Sequence, residues 1–131
     1  MPDSELDYDD DLTYRLHGEL FTGVGFAADK DGVKSEVSYR YGVQDGSARD
    51  WYSSGRLKGE TWFRENVQHG PAREFDQSGK LLVEESFEYG IKVSRSELTK
   101  DGELVETFRI SPESSNFERL ERYRREKGWP T

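Results

Sequence analysis

Two segments of the chain decide its fold. The first is Ser47-Ala-Arg-Asp-Trp-Tyr-Ser-Ser-Gly-Arg-Leu-Lys-Gly-Glu-Thr-Trp-Phe63. The second is Pro71-Ala-Arg-Glu-Phe-Asp-Gln-Ser-Gly-Lys-Leu-Leu-Val-Glu-Glu-Ser-Phe87. They share Ala-Arg-acid-aromatic, then Ser-Gly, then a basic residue before Leu, then Glu and Phe. Glycines keep the same beat across the chain. Gly32, Gly55, Gly79 and Gly102 are 23, 24 and 23 residues apart, and Gly23, Gly46 and Gly70 are 23 and 24 apart. A fixed period of this size marks one small unit stacked on copies of itself.

The unit is a β-hairpin. Asp31-Gly32, Ser54-Gly55, Ser78-Gly79 and Asp101-Gly102 read as two-residue loops between strand-like runs. Tight hairpin loops require positive φ, which Gly adopts without steric cost. The runs that follow alternate in polarity: Val33, Val37 and Tyr39 share one parity, as do Leu57, Thr61 and Phe63, then Leu81, Val83 and Phe87, then Leu104, Phe108 and Ile110. Period two is the signature of a strand with one apolar face. Counting outward from two-residue loops places Arg49 opposite Glu60 and Arg73 opposite Glu84, an opposite-charge pair at the same height in two hairpins. The stretches Tyr41–Gly46 and Glu65–Gly70 read as longer polar connections on one edge of the array.

The cadence Gly23-Val-Gly-Phe26, Asp31-Gly-Val-Lys-Ser-Glu36, Arg49-Asp-Trp-Tyr-Ser-Ser-Gly-Arg-Leu-Lys-Gly-Glu60 and His69-Gly-Pro-Ala-Arg-Glu-Phe75 resembles the variant MORN repeat of bacteria. The resemblance covers roughly residues 12–110. It implies a non-enzymatic antitoxin or immunity protein of a toxin–antitoxin module, one that binds and neutralises a cognate toxin. Eukaryotic MORN repeats open on Tyr-x-Gly-x-Trp, of which Tyr41-Gly42 and Tyr89-Gly90 keep a fragment. A scaffold or lipid-proximal module, as in that class, is the alternative reading.

The fold class expected is therefore all-β, an antiparallel array of MORN-like hairpin repeats closed by one C-terminal α-helix. Three segments follow: an acidic, disordered tail over 1–11, the repeat domain over 12–110, and a capping helix within 111–131. The tail carries six acids and no base. Its competing reading is an arm that ties to a basic partner or folds back on the sheet through Leu6 and Tyr8. In the last segment, Ser115 and Glu118 have capping-box spacing, and Phe117, Leu120 and Tyr123 form an apolar stripe over a helix near Asn116–Lys127. Arg122, Arg124, Arg125 and Lys127 crowd its C-terminal end, where the helix dipole favours cations. Gly128 and Pro130 end it. The helix is expected to cover the last open edge of the sheet.

Composition limits the core and the chemistry. Leu, Ile, Val and Phe make up 27 of 131 residues, close to the level at which chains cease to fold, with three Trp and seven Tyr in compensation. A thin, sheet-like core follows. There is no cysteine, hence no disulfide and no Cys-ligated zinc. The formal net charge is −8, which disfavours nucleic acid and anionic membranes and suits a basic protein partner. Without a membrane-spanning run or secretion signal, the expected location is cytoplasmic. His17 and His69 stand alone, and His69 reads as a turn residue at a repeat boundary. No catalytic motif, metal site or cofactor site emerges. The carboxylate spacing follows the repeat, where a catalytic acid pair would break it.

Candidate partner-binding residues come from one parity of the hairpins. Trp51, Trp62 and Phe75 share it with Arg49, Lys58, Glu60, Arg73 and Glu84. Trp, Tyr and Arg carry most hot-spot energy at protein interfaces. Asp9, Asp10 and Asp11 join them as the acidic arm.

Overall fold

A computed structural model describes residues 1–8 and 13–131. After a 3-10 turn at Asp3–Glu5 come β1 (Asp7–Tyr8), β2 (Tyr14–Leu16), β3 (Glu19–Leu20), β4 (Gly23–Asp29), β5 (Gly32–Arg40) and β6 (Val43–Trp51). They are followed by β7 (Leu57–Arg64), β8 (Val67–Phe75), β9 (Leu81–Glu88), β10 (Ile91–Leu98), β11 (Leu104–Arg109) and the helix α1 (Ser115–Glu126). Strands β4 to β11 form one eight-stranded antiparallel meander in chain order, and β1 to β3 form a small second sheet. The chain is thus an all-β run of hairpins with a single C-terminal helix.

Two kinds of turn alternate along the meander. At one edge lie the loops of the Ser-Gly and Asp-Gly beat. The first turns at Lys30-Asp31, not Asp31-Gly32, because Gly32 already belongs to β5 and pairs with Asp29, and the other three are one residue longer than expected. Tyr52 N–H donates to Arg56 O at 2.9 Å and Gly55 N–H to Tyr52 O at 2.9 Å, which closes Ser53-Ser54-Gly55 as a three-residue loop. The loops around Gly79 and Gly102 repeat the pattern. Their glycines sit at φ 90°, 92° and 83°, the left-handed position that ends a three-residue hairpin loop. The register nevertheless matches the expectation. A bulge between Asp50 and Trp51 on the β6–β7 ladder, and its equivalent between Glu74 and Phe75 on β8–β9, absorbs the extra residue. Arg49 therefore stands opposite Glu60 and Arg73 opposite Glu84.

At the other edge the connections are tight, not long. His17-Gly18, Tyr41-Gly42, Glu65-Asn66 and Tyr89-Gly90 each have positive φ at both residues, the mark of type I′ turns whose twist suits a hairpin. The residues after Tyr41-Gly42 and Glu65-Asn66 that read as connection belong to β6 and β8. There they form bulges, with register shifts opposite Ser38 and Trp62. The last three of these turns lean on the previous repeat. Gly42 N–H donates to Phe21 O at 2.7 Å, Asn66 N–H to Gln44 O at 2.9 Å and Gly90 N–H to Gln68 O at 2.8 Å. These bonds hold Tyr41, Glu65 and Tyr89 in a backbone region that side chains disfavour.

The sheet is a single layer, and the core is two patches along the type I′ edge. At the N-terminal patch Phe21 and Tyr39 are buried, with the Tyr14 ring 4.8 Å from Tyr39 and the Tyr8 ring 4.7 Å from Tyr14. Burial pushes the Tyr39 hydroxyl pKa up to about 12, with the neighbouring Tyr14 and Asp3 adding to the rise. The segment expected as a disordered tail is folded over Met1–Tyr8. Phe26 N–H donates to Met1 O at 2.8 Å, and Leu6 packs beside Gly25. Leu6 finds apolar surface there, while Tyr8, itself exposed, pairs with Tyr14 on β2. Asp9, Asp10 and Asp11 lie outside the described residues.

The second patch is made by α1. Leu120 is fully buried against Tyr89 and Ile91, with Tyr123, Val93, Ile110 and Trp129 around it. Phe117 is half-buried. The cap is Ser114, not Ser115: its hydroxyl accepts from Asn116 N–H, so Glu118 falls one position beyond capping-box reach. The helix does not cover the sheet edge. It packs on the turns of β9–β10 and leaves all six residues of β11 exposed, because the apolar surface that Leu120 requires is at Tyr89 and Ile91.

Leu120→Asp is expected to destabilise the fold by several kcal/mol through a buried unpaired charge, read as a large drop in melting temperature. Two glycines separate backbone strain from crowding. Gly42 and Gly102 have φ of 84° and 83°, but a Cβ on Gly42 would meet Tyr14 O at 2.9 Å whereas one on Gly102 meets nothing within 4 Å. Gly102→Ala should cost about 1–2 kcal/mol from the left-handed backbone alone. Gly42→Ala should cost clearly more in the same denaturant titration.

Candidate protein-interaction face

The sheet's register builds a charged row across five strands. Glu36 on β5 is opposite Arg49 on β6, Arg49 opposite Glu60 on β7, Glu60 opposite Arg73 on β8, and Arg73 opposite Glu84 on β9. Residues directly opposite share a face and lie within side-chain reach. Arg49 Nε donates to Glu60 at 2.6 Å and Arg73 Nε to Glu84 at 2.7 Å. Their other nitrogens reach back across the repeat boundary, Arg49 to Glu36 at 3.6 Å and Arg73 to Glu60 at 3.9 Å. The two pairs expected within hairpins are therefore halves of one continuous ladder. Glu36 is its missed first rung. The 24-residue step from Glu36 to Glu60 to Glu84 is the signal that could have found it.

Glu60 is the ladder's centre. Its side chain is 15% exposed. Burial raises its pKa, but hydrogen bonds from Arg49 and from Trp62 Nε1 at 3.1 Å, with the charges of Arg49 and Arg73, outweigh burial and hold it below the ordinary carboxylate range. The hydrogen bond to Glu60 raises the Arg49 pKa in return. The indole of Trp62 is thereby fixed in orientation by the ladder beside it.

Trp51, Trp62 and Phe75 lie on the ladder's face, as expected, and all three are half-buried. Trp51 continues the alternation of β6 past Arg49, Phe75 that of β8 past Arg73, and Trp62 is opposite Ser47. The bulges alter their neighbours. Trp51 is opposite Leu57 and Phe75 opposite Leu81, so these leucines belong to the ladder face and not to the opposite parity. Lys58 is the extra residue of its bulge, and its ammonium lies 5.8 Å from the centre of the Tyr52 ring. At the C-terminal end of this face a shallow groove of about 400 Å³ runs between Arg73, Glu84, Ser86, Ser94, Ser96 and Thr131. The face thus offers alternating charges, flat aromatic edges and a polar groove. That suits contact with another surface more than enclosure of a small molecule.

The histidine that invites a catalytic reading is structural. His69 is buried rather than at a turn. Its Nδ1 accepts from Tyr89 N–H at 3.0 Å, which leaves Nε2–H to donate to Pro130 O at 2.7 Å. With Trp129 N–H on the Tyr89 hydroxyl at 2.9 Å, it straps the C-terminal residues to the sheet. Among the described residues, no group of His, Asp and Glu is placed to hold a metal ion. No helix of the described residues is long and apolar enough to cross a membrane.

Because the Glu60 pKa is lowered in the folded chain, its contribution to stability is present above the unfolded carboxylate value and lost as pH falls through the folded one. The melting temperature should drop on acidification below about pH 4. Glu60→Gln should lower stability at neutral pH by about 1–3 kcal/mol, by leaving both guanidinium groups short of an acceptor, and should flatten the acid dependence.

No protein-family model matches the chain, and no curated protein matches it in sequence.

Proposed function

We propose that this protein is a non-enzymatic binding module that captures one cognate protein and blocks it, in the manner of the antitoxin or immunity proteins whose repeat it resembles. The observation that carries the proposal is the ladder face itself. Trp51, Trp62 and Phe75 stand half-exposed among charges already held in place by Glu36, Arg49, Glu60, Arg73 and Glu84. Ordered side chains lose little entropy on binding, so a preorganised face binds more tightly than a mobile one of equal area. The net charge of −8 favours a basic partner through steering, while the aromatics set how long the complex lasts. Among the described residues the histidine best placed for chemistry is engaged at both nitrogens, which favours binding over catalysis. The scaffold or lipid-proximal reading fits less well, since an acidic surface is repelled by anionic lipid.

The test is retention of a single basic protein by the intact chain from its own cells, followed by binding kinetics with the purified pair. Trp51→Ala or Trp62→Ala should weaken binding by about 2 kcal/mol, roughly thirtyfold, chiefly through faster dissociation. Circular dichroism would check that the fold survives. Unchanged dissociation in both variants would move the interface off this face. Binding to anionic vesicles with no protein retained would replace this reading with the lipid-proximal one.

A further inference from the structure

A meander has two edges, and this one treats them differently. At the β4 edge, Phe26 N–H donates to Met1 O, and Pro2 bridges Phe26 in parallel. The N-terminal residues therefore sit on the free side of β4 and interrupt pairing along it. At the other end, β11 is the terminal strand, and no strand among the described residues pairs with its outer side. All six residues from Leu104 to Arg109 are exposed, and Leu104, Val105 and Phe108 are 44%, 44% and 42% exposed. An open edge with apolar side chains is a template for another strand.

We propose that β11 pairs antiparallel with β11 of a second copy, so that two eight-stranded sheets join into one about a twofold axis. Three observations select a second copy as the occupant. The strand is self-complementary. Val105 is opposite Glu97 and Phe108 opposite Arg95 on β10, so both apolar side chains point to one face of the sheet. An antiparallel partner of the same sequence brings its Phe108 to Val105 and its Val105 to Phe108. The strand is also electrically neutral although the chain is not. Its two charges, Glu106 and Arg109, are paired at 2.7 Å, and in the twofold arrangement each lies diagonal to the opposite charge of the other copy. Third, the blocked β4 edge leaves β11 as the matching edge on an incoming copy. The contact is then isologous and stops at two, with no route to a filament.

A bulge between Arg95 and Ser96 on the β10–β11 ladder makes Thr107 an unpaired residue. It shortens the regular run on β11 and with it the seam. The inference is independent of the function proposed above: β11 is separate from the ladder face, and the tests do not involve a toxin.

Light scattering on the eluting protein across a wide concentration range is the first measurement. The mass should move from 15.2 kDa toward twice that value as concentration rises. Val105→Lys should hold the chain at the monomer mass with its melting temperature unchanged, because the side chain is already exposed in the monomer. Since the chain has no cysteine, Val105→Cys with Phe108→Cys tests the register. Mild oxidation should give covalent dimers faster than it does for Val33→Cys, an exposed site away from this edge. A chain that stays monomeric at every concentration would overturn the proposal and leave the edge to a strand of some other protein. A dimer that survives Val105→Lys, or cysteines that cross-link no faster than the control, would overturn it as well.

Discussion

Backbone pairing between neighbouring repeats is the interaction on which the rest of this structure depends. A single-layer sheet has no second layer to bury its faces, and here only five apolar side chains are buried among the described residues. The strands hold together through a ladder that never skips, each paired with its neighbours in sequence. Three type I′ turns add a second set of backbone bonds, since those at Tyr41-Gly42, Glu65-Asn66 and Tyr89-Gly90 each donate an N–H to a carbonyl of the repeat before. At the opposite edge the side chains do the same work. Tyr52 O–H donates to Phe75 O at 2.7 Å and Arg56 to Ser78 O at 2.6 Å, each about one period away. The repeat is a physical unit because both of its edges are tied to the next copy.

With so little buried apolar area, polar cross-strand pairs carry more of the specification than they do in a layered protein. A row that alternates acid and base across five strands matches only one register, because a one-residue slip would throw every charge to the other face. Each pair is worth a fraction of a kcal/mol. The interior members also share partners, so fixing one guanidinium helps to fix the next. The opposite face has a smaller version, in which Glu85 accepts from Lys92 at 2.9 Å and Arg95 at 3.1 Å. The same ladder also orients an aromatic side chain, since Trp62 Nε1–H donates to Glu60 at 3.1 Å.

The ends of the array are handled by elements that do not repeat. Met1–Tyr8 closes one end around Tyr14 and Tyr39, and α1 with the residues after it closes the type I′ edge around Tyr89. Arg124 reaches Glu88 with two bonds of 2.8 and 2.7 Å. Glu88 occupies the place in its repeat that Arg40 and Arg64 occupy in theirs. The last repeat thus changes sign at the position where the helix brings a cation. His69, with one nitrogen on Tyr89 and the other on Pro130, belongs to this closure.

The sequence by itself determined the repeat, the hairpins, the two ion pairs within them and the apolar stripe of the helix. These are local properties: period two, a glycine beat and spacing by three or four are all written along a few residues. The two-residue loop was legible only in part, because a longer loop and a bulge cancel in the count and leave the same pairs opposite each other. Tertiary structure decided what depends on residues far apart. It turned Tyr41-Gly42 and Glu65-Asn66 into tight turns, since bonds to the preceding repeat offset the strain of positive φ. It joined Glu36 and two separate pairs into one ladder, since that pairing crosses the repeat boundary. It placed Leu6 beside Gly25 on β4 and Tyr8 against Tyr14 on β2, and it sent α1 to Tyr89 and Ile91 rather than to β11. A helix stripe or an acidic arm records in its own residues that it has an apolar side. Where the matching surface lies is a property of the assembled sheet.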